Sequence, residues 1–463
     1  MTQAMIADDY DRFLSRKVVK AMPAGLDDTP ALGGHLFPHQ SDTVAFALQC
    51  ARSASFLDTG MGKTAVELEF GRCVVEHENK PVLMLAPLAV GAQHAREAER
   101  FGVDAKQIRD PKEIDGPRIY IANYERLHLF DRSDFAGVIL DESSIIKSYT
   151  GKTTRALYDF ARPMRWRMAA TATPAPNDHM ELGQHSQFLE VMDSSEMLAR
   201  WFIADQRNMG KYRLKRHGIK PFWSWVASWA RCVGKPSDLG YSDDGFDLPP
   251  LNIHQHVVDT DITQGADGLL FRIPDTSATS IHKEKRITAP ARAQAIADLV
   301  KSEPGEAWMI WVETDYDADA ICEVLPEAVE VRGSMKPEVK EDRLDAFTRG
   351  EIRVLVSKPS IAGFGLNWQH CARTAFVGLS FSYEQFYQAV RRFWRFGQKR
   401  PVECHIAMAE TETAIWDTVQ RKRDEHESMK REMFEAMRRE ALGRTVRNAY
   451  EGVQPARLPA WLQ

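Results

Sequence analysis

At 463 residues, 44% of them hydrophobic, the chain has enough apolar material for two or three ordinary domains with separate cores. No apolar run approaches the roughly 20 residues of a membrane-spanning helix, the opening MTQAMIADDYDRF lacks the basic-then-apolar order of a secretory signal, and six scattered cysteines show neither zinc-clamp spacing nor a disulfide framework. These features predict a multi-domain cytoplasmic protein with no membrane partner, and a formal net charge of −5 disfavours general adhesion to nucleic acid while leaving room for a local basic track.

From Ser53 to Pro174 short apolar runs (SASFLD, PVLMLAPL, RIYIANYE, GVILDES, RWRMAATATP) alternate with helical patterns, as in a parallel sheet with helical crossovers. The first chemistry lies at Leu57-Asp58-Thr59-Gly60-Met61-Gly62-Lys63-Thr64, between a predicted strand and a predicted helix. Backbone amides of Thr59, Gly60, Met61 and Gly62 and the helix N-terminus can cradle phosphate. Lys63 can reach the β and γ oxygens, and the Thr64 hydroxyl can hold Mg²⁺. Leu57 stands where the usual phosphate-loop pattern has Gly, so the surrounding strand and helix carry the assignment more than the letters do.

Further along, GVILDE ends an apolar strand on two carboxylates. Beside a phosphate loop, Asp141 would face the Mg²⁺ shell and Glu142 would orient or deprotonate an attacking water. Without that neighbour the pair would read as a solvated strand end. The run Ala170-Thr171-Ala172-Thr173-Pro174 supplies small hydroxyls that could sense the carboxylates, although alone it is a turn.

Between about Gln184 and Ile287 the sequence turns rich in Trp and basic residues, then in Gly, Ser, Asp and Pro, which reads as a helical insertion followed by a linker. Trp223, Trp225 and Trp229 are spaced for one buried helix face rather than for base stacking. The Lys and Arg residues from Lys211 to Lys220 are better placed to meet phosphates. The α/β alternation restarts near Pro290 and leads to Gln388-Ala389-Val390-Arg391-Arg392-Phe393-Trp394-Arg395-Phe396-Gly397-Gln398. On a helix Gln388, Arg392 and Arg395 share one face, so two guanidinium groups could meet one anion. After Thr411 a long charged helical pattern is expected to brace the second lobe. The expected division is 1–183, 184–287, 288–410 and 411–463.

Taken in order, these motifs resemble helicase superfamily 2, and within it the Swi/Snf-type ATPases, from about Leu36 to Ala436. Gln40 of HLFPHQ is similar to the adenine-reading glutamine, LDTGMGKT to motif I, LAPLAV to motif Ia and IANYERL to motif Ib. DESS is similar to motif II, TATP to motif III, WMIWVET to motif IV and SKPSIAGFGLNWQHC to motif V. QAVRRFWRFGQ resembles the Swi/Snf form of motif VI, which closes on Gly-Gln.

The resemblance implies an α/β fold of two RecA-like lobes with parallel sheets, hydrolysis of ATP with Mg²⁺ in the cleft between them, and movement on duplex or branched DNA. Gln388 would join Gln40 on the nucleotide side. Pro87, Asn123, Tyr124, Thr314, Gly363, Gly365 and Asn367 would touch DNA, chiefly through phosphates. Nothing resembles a chromatin-reading, nuclease or zinc module, so a minimal bacterial or phage-like member is expected. A strand-separating or branch-migrating helicase, a motor subunit with protein partners in DNA processing and an ATP-binding switch are the rival expectations.

Overall fold

The computed structural model describes residues 20–87, 90–147, 151–175, 179–204, 212–258, 278–362 and 367–448. The first part of the chain supplies β1 (Arg52–Leu57), β2 (Val82–Ala86), β3 (Ala105–Gln107), β4 (Ile119–Asn123), β5 (Gly137–Asp141) and β6 (Trp166–Ala170). A short antiparallel ribbon, β7 (Phe202–Ala204) and β8 (Tyr212–Leu214), precedes β9 (Ala230–Val233), which pairs in parallel with β1. The resulting sheet runs β3-β4-β2-β5-β6-β1-β9, parallel throughout.

The second sheet comprises β10 (Leu251–Val258), β11 (Trp308–Val312), β12 (Val329–Val331), β13 (Val354–Ser357), β14 (Arg373–Val377) and β15 (Val402–Ala409). Its order is β10-β15-β14-β11-β13-β12, also parallel. Helices that matter below are α1 (Pro38–Cys50), α2 (Lys63–Glu78), α3 (Gly91–Phe101), α4 (Ile219–Val226), α5 (Tyr383–Val390) and α6 (Thr413–Asn448).

Parallel strands covered by helices on both faces need apolar side chains on both, which is why VLMLA, GVILD and WMIWV are continuous rather than alternating. Leu83, Leu85, Val138 and Leu140 enter one core of the first lobe, while Val82, Met84, Ile139 and Met168 enter the core on the opposite face. Met309, Trp311 and Leu355 against Trp308, Ile310 and Val354 divide the second lobe in the same way. The chain is thus a two-lobed RecA-like α/β fold.

The stretch 184–287 differs from an insertion standing between the lobes. Trp223, Trp225 and Trp229 are buried in the same cluster as Leu83 and Leu140, and β9 widens the first sheet while β10 forms the edge of the second. The four residues of β9 are too few to leave a period in the sequence, and tryptophans that look like a separate core complete the core of lobe 1.

The C-terminal helix meets the second lobe as expected, and it reaches the first lobe as well. Ile415, Trp416 and Val419 of α6 pack in the second lobe, whereas Met429, Met433, Ala436 and Met437 pack in the first. At about 1.5 Å per residue, a helix of this length outreaches a single lobe. Among the described residues no helix is long and apolar enough to cross a membrane, and the six cysteines are free thiols.

Candidate nucleotide-binding cleft

Strand β1 runs straight into the phosphate loop. The chain turns through Gly60 (φ +96°) and Gly62 (φ +81°), left-handed conformations that favour glycine, and α2 begins at Lys63. A Cβ on Gly62 would stand 2.0 Å from Gln40 Nε2, and one on Gly60 would stand 2.8 Å from the Phe396 backbone nitrogen. The loop is therefore pressed between α1 of its own lobe and a turn of the other. Gln40 Nε2 donates to the Met61 carbonyl at 3.1 Å, and its Oε1 accepts from the Phe37 amide at 3.0 Å. Gln40, expected to read adenine, thus also shapes the loop, and it lines the cavity between the lobes.

The carboxylates arrive at the end of β5. Lys63 Nζ lies 2.5 Å from Glu142 Oε1 and 2.9 Å from Asp141 Oδ1. Burial pulls the Lys63 ammonium down, but Asp141, Glu142 and Glu67 outweigh it and raise its pKa. For Asp141, burial acts upward and is outweighed by Lys63 and His94, which hold the carboxyl below the usual range. His94 Nε2, from α3, lies 2.7 Å from Asp141 Oδ2, and Tyr124 Oη donates to the Asp141 carbonyl at 2.6 Å.

Glu67, one turn into α2, is fully buried with neither carboxyl oxygen hydrogen-bonded, and burial followed by the Asp141 charge pushes its pKa well up. Glu67, His94 and Asp141 each bring a potential ligand atom within 4.8 Å of the others. Glu142 has φ +53°, a strained conformation for a residue with a Cβ. Its other oxygen accepts from Thr171 Oγ1 at 3.2 Å, and Thr171 Oγ1 in turn accepts from the Thr173 amide at 3.1 Å.

The second lobe contributes its arginines by a route the sequence did not suggest. Helix α5 stops at Val390, so Arg392 and Arg395 lie in the turn that follows and not on a common helical face. The helix ends because Phe393 is drawn fully into the lobe core and Trp394 Nε1 donates to the Pro249 carbonyl at 2.6 Å. Both arginines nevertheless line one cavity of ≈ 610 Å³ together with Lys63, Thr64, Asp141 and Glu142. Gln388 does not line it. Its carbonyl and Oε1 instead accept from Arg392 Nε at 3.0 Å and Nη2 at 2.9 Å, holding the guanidinium from behind. Burial, then the neighbouring Arg395, bring Arg392 down to about 10, and burial lowers Arg395 as well.

Thr59, Gly60 and Gly62 line the same cavity, with Met61 buried beneath them. Asn367, expected at nucleic acid, lines it too. Tyr124 is turned inward, 7% exposed, and the Thr314 hydroxyl donates to Asp317 Oδ2 at 2.6 Å while accepting from the Asp317 amide at 3.3 Å. Pro87 follows β2 and Asn123 ends β4, and neither is among the residues that line the cavity. Gly363 and Gly365 lie outside the described residues. Sequence reasoning missed His94, Glu67 and an aromatic rim in which Phe396 stands 4.8 Å from Phe246, Phe246 5.2 Å from Phe37, and His35 4.6 Å from Phe101. Only the aromatic letter beside the second arginine hinted at that rim.

The helicase conserved C-terminal domain matches residues 291–397, within the second lobe. The DNA annealing helicase and endonuclease ZRANB3 of Mus musculus is 23% identical over 438 residues, and that of Homo sapiens 22% over 447, each alignment taking in 84% of this chain and 40% of the relative. The chain therefore spans 40% of the length of these curated relatives. The Sulfolobus solfataricus SWI2/SNF2 ATPase core in complex with dsDNA aligns with a TM-score of 0.42 at 17% identity, covering 82% of this chain and 88% of that one. The second lobe thus carries a match to the helicase conserved C-terminal domain, and the chain is similar over most of its length to the two DNA annealing helicases.

Proposed function

We propose that this chain is an ATP- and Mg²⁺-dependent motor that moves on DNA, duplex or branched, by closing and opening the cleft between its lobes. The observation that carries this reading is the shared cavity, where Lys63, Thr64, Asp141 and Glu142 of one lobe face Arg392 and Arg395 of the other. An arginine supplied from across a cleft stabilises charge on a transferring phosphoryl group, and such residues are worth about 10³ to 10⁵ in rate. Because the two halves sit on separate lobes, hydrolysis depends on lobe closure, which is what lets the reaction drive movement.

Glu142, gripped by Lys63 and Thr171, is the group to orient or deprotonate water once Lys63 engages phosphate. The Thr64 hydroxyl and the Asp141 carboxylate are hard oxygen donors suited to Mg²⁺, with Asp141 kept in orientation by His94. When bound there, the ion would neutralise charge on the β and γ oxygens.

That the two mammalian relatives are DNA annealing helicases supports DNA as the polymer. Arg213, Arg216 and Lys220 are exposed on and beside the β7–β8 ribbon and suit phosphate contact. Reversing these charges is expected to weaken duplex binding and flatten its salt dependence, and an unchanged slope would remove the ribbon from the interface.

The deciding experiment is steady-state ATP hydrolysis by wild type and Glu142→Gln, alone and with single-stranded, duplex and branched DNA and RNA. Duplex or branched DNA should stimulate wild type strongly and the variant not at all. ATP binding without stimulation by any polymer would favour a nucleotide switch or a subunit awaiting its partner, and release of a labelled strand would favour a strand-separating helicase.

A further inference from the structure

Asp58 lines the cavity from within the phosphate loop, where a bare carboxylate would oppose an incoming anion. Its surroundings show how that conflict is resolved. One carboxylate oxygen is 2.8 Å from Arg391 Nη2 and 3.1 Å from Lys430 Nζ. The other accepts from the Thr59 amide at 2.8 Å and from the Tyr387 hydroxyl. Lys430 Nζ also donates to Tyr387 Oη at 3.3 Å, and the Arg391 guanidinium lies 4.5 Å from the Trp394 ring centroid. The Asp58, Arg391 and Lys430 side chains are 11%, 9% and 11% exposed.

These groups come from both lobes. Asp58 belongs to the phosphate loop, Tyr387 to α5, Arg391 to the turn bearing the arginine pair, and Lys430 to the stretch of α6 that crosses from the second lobe to the first. Arg391 adjoins Arg392, and two residues past Asp58 the loop has its second close approach to that turn, where Gly60 leaves no room for a Cβ beside Phe396. Loop and turn are thus keyed together at two points, and the charged one is closed by the C-terminal helix.

Resting on the motor reading above, we infer that Asp58, Tyr387, Arg391 and Lys430 form a nest that sets the register of the arginine turn against the phosphate loop, making α6 a working part of the hydrolysis site. They are positioning residues: none is needed to touch phosphate, but a shift of about 1 Å in Arg392 or Arg395 can cost about 10²-fold in rate.

The test compares the full-length wild type with Lys430→Met and Lys430→Arg. Lys430→Met leaves Asp58 paired with Arg391, so folding is retained. It is expected to lower DNA-stimulated kcat about 10²-fold while the Kd for ATP stays within a few-fold, and Lys430→Arg recovers most of the loss. A fall in kcat accompanied by equal weakening of ATP binding and a lower Tm would assign Lys430 to packing alone and overturn the inference.

A second readout does not depend on activity. Spin labels at His128→Cys and Arg349→Cys, exposed sites on opposite lobes, should report a narrow interlobe distance in wild type that broadens in Lys430→Met. Unchanged kcat with an unchanged distance would also overturn the inference. If wild type hydrolyses no ATP with any DNA, the motor reading fails, and the distance measurement still decides whether the nest holds the lobes in register.

Discussion

At the scale of single residues the cleft works by committing side chains to one another before any substrate is considered. Arg392 is held by a fork to the carbonyl and side chain of Gln388, a geometry that a lysine ammonium cannot reproduce. Arg392→Lys is therefore expected to behave as a loss, with kcat down by about 10³-fold or more and ATP affinity little changed, as single-turnover kinetics beside equilibrium nucleotide binding would show. Tyr124 reaches the same site from behind. Removing its hydroxyl in Tyr124→Phe leaves the Asp141 carbonyl without that donor in a buried setting, which should destabilise the protein by about 1–3 kcal/mol in urea titration. What could be read beforehand follows from this commitment. Lys63, Thr64, Asp141 and Glu142 are legible because phosphate loop and strand end are contiguous strings. His94 and Glu67 are not, because a lone His or Glu in a helical pattern reads as a solvated face, and only the packing of α2 and α3 beside β5 buries them. Gln40 and Asn367 were singled out, yet their roles depend on which neighbour takes their amides and which cavity they face.

At the scale of elements, the continuous apolar strands were legible, whereas the short strands of the 184–287 stretch and the helix ends were not. VLMLA or WMIWV can satisfy two apolar faces only as a parallel strand, but nothing in VRRFWRF announces that Phe393 enters the core and ends α5. For α6 the letters gave a long charged helix and a place on the second lobe, but not the first-lobe contacts of its later turns. The packing makes a distinct prediction. Met433 is fully buried in the first-lobe core, although it lies in a helix that starts on the second. Met433→Ala should therefore destabilise the first lobe by about 2–5 kcal/mol. Tryptophan fluorescence would register that loss, since Trp223, Trp225 and Trp229 share the cluster and Trp223 Nε1 donates to Glu432 of α6 at 2.5 Å. A transition in the second lobe alone would refute the bridging role of the helix.

At the scale of the whole molecule, both lobes and the helix joining them store neutral imidazoles. Burial brings His185 in the first lobe down to about 4. Burial followed by His254 and His256 brings His405 in the second lobe to about 4, and burial followed by the Lys430 charge brings His426 of α6 to about 3, all from an ordinary value of 6.5. Between pH 6.5 and about 4 the unfolded chain takes up protons that the folded chain refuses, so stability contributed by these groups is present above that window and falls as pH drops through it. At pH 5 the deficit approaches about 2 kcal/mol for a fully buried imidazole. Glu67 works in the opposite sense, since a raised carboxyl favours the fold at low pH, so the net curve mixes signs. A difference between variants isolates the histidines. His426 has neither ring nitrogen hydrogen-bonded and sits 5.6 Å from the Tyr383 ring and 6.0 Å from that of Tyr387, a setting a phenyl ring can fill. His426→Phe should therefore melt at or above wild type at pH 7 and lose less Tm than wild type on going to pH 5. Equal losses would mean that His426 is protonated in the fold and that the surroundings of Lys430 carry one more positive charge than the structure gives them.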